Sequence, residues 1–144
     1  LSQDMPTYQP VVFSPTFADK IFFVYQGNKQ DSAEGIQKFR SQNRSVNPGD
    51  IIQGSRLTEN MLNATTLQAF EEVLRQHEEL IGSMLGTPSL GKTLFSDLPG
   101  AVKSLGAWGG DFCMLTWQAS QASLEDYLKS KGLNIWFNFY DIVL

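Results

Sequence analysis

The sequence predicts an α+β fold with a mostly antiparallel sheet. Two observations predict it. Short aromatic and β-branched segments, typical of strands, alternate with longer segments whose apolar residues recur at helical spacing. Their order along the chain is strands, three helices, a strand pair, a helix and a final strand. That order favours a ferredoxin-like (split βαβ) sandwich, in which helices cover one face of the sheet.

Composition sets the class of protein. With 144 residues, 42% of them hydrophobic, the chain can bury one core. Eleven Lys and Arg against fifteen Asp and Glu give a net charge of -4 without a basic block, so we expect no nucleic-acid partner. Cys113 is the single cysteine, and we expect it to pack as a small buried apolar side chain. No apolar run approaches the roughly 20 residues of a membrane span. These features predict a cytoplasmic protein that does not contact the membrane.

The first half of the chain begins with a lead-in and then alternates strands and helices. Residues 1–10 hold two prolines and several polar residues, so we expect a lead-in or linker before one domain at 11–144. Because the chain begins with Leu1 and not Met, we also expect that residues upstream were removed. Strands are predicted at 11–13 and 21–25. Helices are predicted from Asp31 to about 42 and from a cap at Asp50 to 62.

The second half has the clearest periodicity. A long helix is predicted from a capping box at Thr65 to its end at Gly86. Strands at 101–105 and 112–117 flank a glycine-rich segment, and Ser123 is predicted to cap a short helix. The apolar and aromatic residues 135–144 predict a long final strand.

A nucleotide-binding pattern occurs at Gly86-Thr-Pro-Ser-Leu-Gly-Lys-Thr93, which satisfies G-x-x-x-x-G-K-[ST]. Such a loop needs a buried strand before it and a helix after it, because the phosphates bind at the amino end of that helix. Here a long helix precedes the pattern, and Pro99 and Gly100 interrupt the residues after it. We therefore interpret this segment as the end of a helix.

The most unusual segment is Lys103-Ser-Leu-Gly-Ala-Trp-Gly-Gly-Asp-Phe112, with three glycines in five positions. Glycines permit positive φ angles and let a phosphate approach the backbone. A purely structural hairpin loop explains the same pattern. Spacing alone leaves both interpretations open.

The same segment resembles the third conserved motif of the GHMP kinases, the family of galactokinase and of homoserine, mevalonate and phosphomevalonate kinases. Further resemblance to the C-terminal half of a bacterial mevalonate-kinase-like branch lies in segments 12–25, 31–36 and 77–86 and extends over nearly the whole chain from about residue 11. The resemblance implies a two-domain kinase whose active site lies between an N-terminal nucleotide-binding domain and a ferredoxin-like C-terminal domain. It also implies ATP and Mg²⁺ as cofactors.

Carried onto this sequence, the resemblance implies a set of site residues. The wall beside the triphosphate and the acceptor is formed by Gly106, Ala107, Trp108, Gly109, Gly110 and Asp111. On the substrate side the candidates are Ser32, Lys103 and Ser104. Trp108 departs from the commoner all-glycine form of the motif. Asp111 resembles the acidic residue that ends the motif in the phosphomevalonate-like pattern. Capping of its own turn is the alternative role for Asp111.

The family's Gly-Leu-Gly-Ser-Ser-Ala phosphate-binding motif does not occur in this chain. Because phosphoryl transfer needs phosphate-binding amides, a metal ion and cationic groups together, we expect these 144 residues to be inactive without a partner, the N-terminal kinase domain. The acceptor is expected to be a small alcohol or a phosphorylated small molecule.

The alternative function is that of a stand-alone ligand-binding or dimerisation module, whose partner is a second copy of the chain in a homodimer. Abundant aromatic residues, among them Trp108, Trp117, Trp136 and 137–140, predict an exposed apolar patch in either case.

Overall fold

The computed structural model describes residues 9–27, 32–41, 47–106, 108 and 110–143. A four-stranded antiparallel sheet has the order β2-β3-β1-β4. The elements in chain order are β1 (Ile21–Tyr25), α1 (Ser32–Ser41), α2 (Pro48–Leu62), α3 (Leu67–Leu85), β2 (Val102–Ser104), β3 (Phe112–Thr116), α4 (Gln121–Ser130), β4 (Trp136–Asn138) and α5 (Phe139–Ile142). The predicted α+β sandwich is confirmed. The strand order also matches the split βαβ topology, in which each crossover leaves room for one antiparallel strand.

The sheet has two faces, which the strand register defines. Phe22 lies opposite Leu115 and Val24 opposite Cys113, while Phe23 lies opposite Met114. Because successive side chains point to opposite faces, Phe22 and Val24 share one face and Phe23 lies on the other. Each face supports its own cluster of buried apolar residues.

Helices pack on both faces of the sheet, whereas the sequence predicts helices on one face. Leu124 and Leu128 of α4 pack with Phe22 and Leu115 on the first face. On the second face, α3 and α5 contribute residues to a cluster of Phe17, Ala18, Ile21, Phe70, Leu74, Ala101, Met114 and Phe139. The strands are apolar at both sets of alternating positions, and a sheet of that kind must be covered on both sides.

Three helix caps differ from the predicted ones. Asn47, and not Asp50, caps α2, and its side chain accepts a hydrogen bond from the Gly49 amide at 2.9 Å. Thr66 caps α3 in place of Thr65. Ser120 caps α4 in place of Ser123. In each case a neighbouring polar residue competes for the same role, and the extended backbone of the cap residue decides between them. The predicted cap at Asp31 lies outside the described residues.

Both ends of the domain have less strand than predicted. Residues 11–13 are described without a strand, and Phe13 instead packs beside Phe70 with ring centroids 5.9 Å apart. The predicted long final strand ends at Asn138, where α5 begins. Asn138 and Asp141 form a reciprocal capping box that starts a helix within the apolar segment.

The segment with the nucleotide-binding pattern is the end of α3, as predicted. Gly86 adopts a left-handed conformation with a φ of 63° and caps the helix. The pattern continues into a short 3₁₀ turn at Leu90–Lys92 and not into a longer helix. A phosphate-binding helix therefore does not follow Lys92.

Two further sequence predictions concern membranes and the cysteine. Within the described ranges, no helix is both long and apolar enough to cross a membrane. Cys113 is fully buried, and burial raises the pKa of its thiol to about 12. It packs as a small apolar side chain, as predicted.

Candidate functional site

The glycine-rich segment connects β2 to β3. The amide of Leu105 donates to the carbonyl of Phe112 at 3.0 Å, which closes the base of the hairpin. Gly106 follows with a φ of 66°, a conformation that favours glycine. A Cβ on Gly106 would meet nothing within 4 Å, so the glycine serves the backbone turn and not close packing. Two residues of the predicted wall, Ala107 and Gly109, lie outside the described residues.

Gln26, just after β1, holds the exit of this loop. Its side-chain amide donates to the carbonyl of Gly110 at 2.9 Å, and its backbone amide donates to the carbonyl of Asp111 at 2.7 Å. These bonds extend the pairing of β1 with β3 beyond the strands. The position of the Gly110 and Asp111 backbone is therefore fixed by the central strand of the sheet.

Helix α3 borders the loop on its other side. A Cβ placed on Gly82 would lie 3.7 Å from Cζ2 of Trp108, so the indole lies within reach of the bare helix surface at this glycine. One turn earlier, Nζ of Lys103 lies 3.3 Å from Nδ1 of His77. The helix thus contacts both the strand that enters the loop and the aromatic residue within it.

The strongest link between α3 and the hairpin is the side chain of Glu78. Oε1 of Glu78 accepts a hydrogen bond from the amide of Ser104 at 2.9 Å, and Oε2 lies 3.2 Å from the Ser104 hydroxyl, which donates to it. Glu78 is only 2% exposed. A buried carboxylate with two hydrogen bonds to one residue ties the helix firmly to β2.

The ionisable groups beside the loop perturb one another. Burial lowers the pKa of Lys103, and the Glu78 carboxylate opposes that change. Burial, and then the Lys103 ammonium, lower the pKa of His77. Burial raises the pKa of Glu78, although the Ser104 hydrogen bonds and Lys103 lower it in part. The lowered pKa favours a neutral His77 near pH 7, and the tautomer with its proton on Nε2 accepts a hydrogen bond at Nδ1 from the Lys103 ammonium.

Asp111 carries the most unusual polar atom of the loop. Its Oδ1 is buried and has no hydrogen-bond partner in the part of the chain that the structure describes. Buried carboxylate oxygens are nearly always hydrogen-bonded, and an unpartnered one calls for a ligand, an ion or a water molecule. Nothing in the described hairpin shows that Asp111 caps its own turn.

The structure brings most of the predicted site residues together. Lys103 and Ser104 lead into the loop, and Gly106, Trp108, Gly110 and Asp111 lie within it. The Ser104 hydroxyl is buried and engaged with Glu78, so its contact with a substrate remains a prediction that the described geometry does not favour. Ser32 is the first residue of α1, and its side chain is not among the described ones.

The predicted site does not include three residues that contact or border the loop: Gln26, Glu78 and Gly82. A signal for two of them was present. Glu71, Leu74, Glu78 and Gly82 recur at helical spacing beside apolar residues, which places them on the buried face of α3. A charged residue on such a face predicts a polar partner inside the protein. Nothing in the sequence indicates the partner of Gln26, which lies 84 residues away.

Two cavities lie along the end of α3. A cavity of about 270 Å³ separates α3 from the segment that precedes β2, with Phe95 and Val102 among its lining residues. A shallower cavity of about 500 Å³ is lined by residues at the end of α3, including Gly82. Gly82, which faces Trp108, is the lining residue nearest the glycine-rich loop, and no described residue of that loop lines this cavity. Across the described ranges, no group of three or more His, Cys, Asp or Glu side chains could hold a metal ion.

Comparison with known proteins supports the fold. The chain matches no model of a protein family and no curated protein. It is similar to the crystal structure of a Lin0012 protein from Listeria innocua, with a TM-score of 0.64 and 14% sequence identity. The match covers 84% of this chain but only 38% of the Listeria chain. At this identity the likeness extends to the fold alone, so the comparison identifies an α+β domain that also occurs within a longer polypeptide.

Proposed function

We propose that this chain is the C-terminal part of an ATP-dependent small-molecule kinase of the GHMP type. The supporting observation is the segment from Lys103 to Phe112, whose sequence resembles the third motif of that family. In the fold it forms a hairpin loop anchored by Gln26 on one side and by Glu78 on the other. The loop is anchored on both sides, and the buried Oδ1 of Asp111 has no partner among the residues that the structure describes. These two features suit a ligand-binding wall better than a simple connection.

The chemistry of phosphoryl transfer agrees with such a wall. Catalysis depends on positioning and on neutralising the charge of the phosphates. The ammonium of Lys103, at the start of the loop, is a group that suits phosphate oxygens. A glycine-rich backbone permits close approach, and the indole of Trp108 makes the wall more rigid than glycine would.

The fit to Mg²⁺ is partial, as expected for one half of a site. Mg²⁺ in kinases is held by one or two carboxylates, by water and by nucleotide phosphates. Asp111 would supply one carboxylate, whose buried Oδ1 has no hydrogen-bond partner among the described residues, and a larger ligand cluster is absent from those residues. In the proposed kinase, the nucleotide and the N-terminal domain supply the other ligands, and ATP brings the phosphoryl group that is transferred.

The proposal includes a partner domain. The Listeria chain with this fold is more than twice as long as the part that matches, which supports the idea that such a domain works within a larger protein. The phosphate acceptor in this proposal is a small alcohol or a phosphorylated small molecule. Its identity depends on residues of both halves.

Transfer of the terminal phosphate of radiolabelled ATP tests this function. The complete protein is incubated with Mg²⁺, ATP and a panel of small alcohols and phosphorylated alcohols, beside a Trp108→Ala variant. We expect labelled product with the wild-type protein and a loss of about tenfold or more in the variant, as for removal of a positioning contact. Absence of transfer to every acceptor, together with absence of ATP binding, would overturn the proposal.

One observation favours the alternative of a dimerisation module. Beside the free edge of β4, Ile135, Phe137, Tyr140 and Ile142 are 50%, 37%, 68% and 44% exposed. This patch is smaller than predicted, because Trp117 is buried and its ring nitrogen donates to the carbonyl of Ser120. Sedimentation velocity tests the module: a monomer at micromolar concentration contradicts it, and a dimer that a Phe137→Glu substitution dissociates supports it.

A further inference from the structure

The entering strand of the glycine-rich loop lies at the edge of the sheet, and that edge is covered by α3. Among the described strands β2 pairs with β3 alone, so none of them lies on its other side. The Leu105 amide points toward β3, where it donates to Phe112. The Ser104 amide, one residue earlier, therefore points away from the sheet. Glu78 accepts the hydrogen bond that a further strand would otherwise accept.

Glu78 acts together with its helical neighbours. His77 contacts Lys103, Glu78 binds Ser104, and Gly82 faces Trp108. Residues 78 and 82 are four positions apart and so lie on the same face of α3. The C-terminal half of the helix thus follows the chain from the end of β2 into the loop. The exit of the loop is held separately by Gln26.

From this geometry we propose that Glu78 is a positioning residue: it fixes the entering side of the glycine-rich loop, and through it the wall that binds the phosphates, without contacting any ligand itself. The role of Glu78 toward the phosphates rests on the proposed kinase function. Its role as the anchor of the loop concerns the protein alone. The two roles can therefore be tested separately.

The chain offers a matched control for Glu78. Glu71 lies on the same helix, two turns earlier, and is 5% exposed. It accepts a hydrogen bond from the Thr116 hydroxyl at 2.6 Å. Thr116 lies at the opposite end of β3 from the loop. Loss of the Glu71 carboxylate removes a buried hydrogen bond at a distance from the loop, together with the ion pair that its Oε2 forms with Arg75 at 3.5 Å.

Amide hydrogen exchange in the complete protein without ligand tests the anchoring role. In a Glu78→Leu variant, we expect the Ser104 and Leu105 amides to exchange about tenfold faster or more, because a charge-assisted hydrogen bond is lost. Glu78→Gln keeps an acceptor for the Ser104 amide, so we expect protection close to wild type. Glu71→Leu should leave these two amides unchanged. Equal exchange in Glu78→Leu and Glu71→Leu would overturn the proposal.

Kinetics of the same variants test the role toward the phosphates. For Glu78→Leu we expect kcat/KM for ATP to fall about tenfold, while Glu78→Gln and Glu71→Leu stay within about twofold of wild type when all are assayed below their unfolding temperatures. Should Glu78→Leu fail to fold, a Glu78→Asp variant, whose shorter side chain withdraws the acceptor from the Ser104 amide, takes its place, and wild-type protection and kcat/KM in that variant would contradict the assigned role. Altered exchange in a protein that neither binds nor turns over ATP would leave the loop anchor standing and refute the kinase function.

Discussion

Gly82 is the position where a single methyl group should perturb the loop most directly. A Cβ on Gly82 would lie 2.8 Å from the carbonyl oxygen of Thr87, well inside the 3.4 Å at which ordinary contact begins. The atom that the Cβ would meet belongs to the backbone, so it cannot move aside as a side chain can. The turn after α3 is held in place because the Thr87 amide donates to the carbonyl oxygen of Gly82 at 3.0 Å. Gly82→Ala must therefore displace the turn or the end of the helix.

The size of the effect depends on two opposing contributions. Alanine is favoured over glycine in a helix interior by about 1 kcal/mol. Overpacking against a fixed backbone costs about 1–3 kcal/mol.

Gly54 of α2 provides the control, because a Cβ on Gly54 would meet only Cδ2 of Leu80, at 3.8 Å. Gly54→Ala should gain about 0.5–1 kcal/mol, and the difference between the two variants measures the overpacking alone.

Urea unfolding of both variants measures these free energies. We expect Gly54→Ala to be more stable than wild type and Gly82→Ala to be less stable, by up to about 2 kcal/mol. ¹⁹F labelling of tryptophan, assigned with a Trp108→Phe variant, should show a shifted Trp108 resonance in Gly82→Ala only. Equal stabilisation by the two substitutions, with an unmoved Trp108 resonance, would refute the close approach of α3 to the turn and to the loop.

Three further predictions concern the core, the loop exit and pH. Leu74→Ala, at a fully buried site on α3, should lower the free energy of unfolding by about 2–5 kcal/mol in urea titration, and a loss below about 1 kcal/mol would contradict its place in the core. Gln26→Ala should cost about 1 kcal/mol and speed exchange of the backbone amides around Gly110; unchanged exchange would show that this bond does not hold the loop. The pKa of His77 is lowered in the folded state, so the unfolded chain binds a proton more readily. The free energy of unfolding therefore falls as the pH drops below about 6.5, the ordinary pKa of histidine, and it falls further until the pH passes the lowered pKa. Between pH 7.5 and 5, His77→Gln should therefore lose less stability than wild type, and equal losses would contradict the depressed pKa.

Much of the fold could be predicted because it is encoded locally. Apolar residues at helical spacing predict α3, and a β-branched and aromatic run predicts β1. Glycines within a hairpin predict the connection from β2 to β3. The order of these elements is sufficient to indicate a split βαβ sandwich.

The features that could not be predicted depend on contacts between distant residues. The second covered face of the sheet results from strands that are apolar on both sides, a pattern that does not say which helix covers which side. The start of α5 at Asn138 is a local exception, because one capping box between residues three positions apart begins a helix inside a strand-like sequence. At the site, the bonds of Gln26 and Glu78 join residues 84 and 26 positions apart, and such pairs are set by the tertiary fold.

Hydrogen exchange with and without nucleotide tests the central claim most directly. The complete protein is measured alone and with Mg²⁺ and a non-hydrolysable ATP analogue, and the amides from Ser104 to Phe112 are compared with those of α4, which lies on the first face of the sheet. We predict that the nucleotide slows exchange in the glycine-rich loop and leaves α4 unchanged. Nucleotide binding without any protection of the loop, or no nucleotide binding at all, would contradict its assignment as the phosphate-side wall of a kinase.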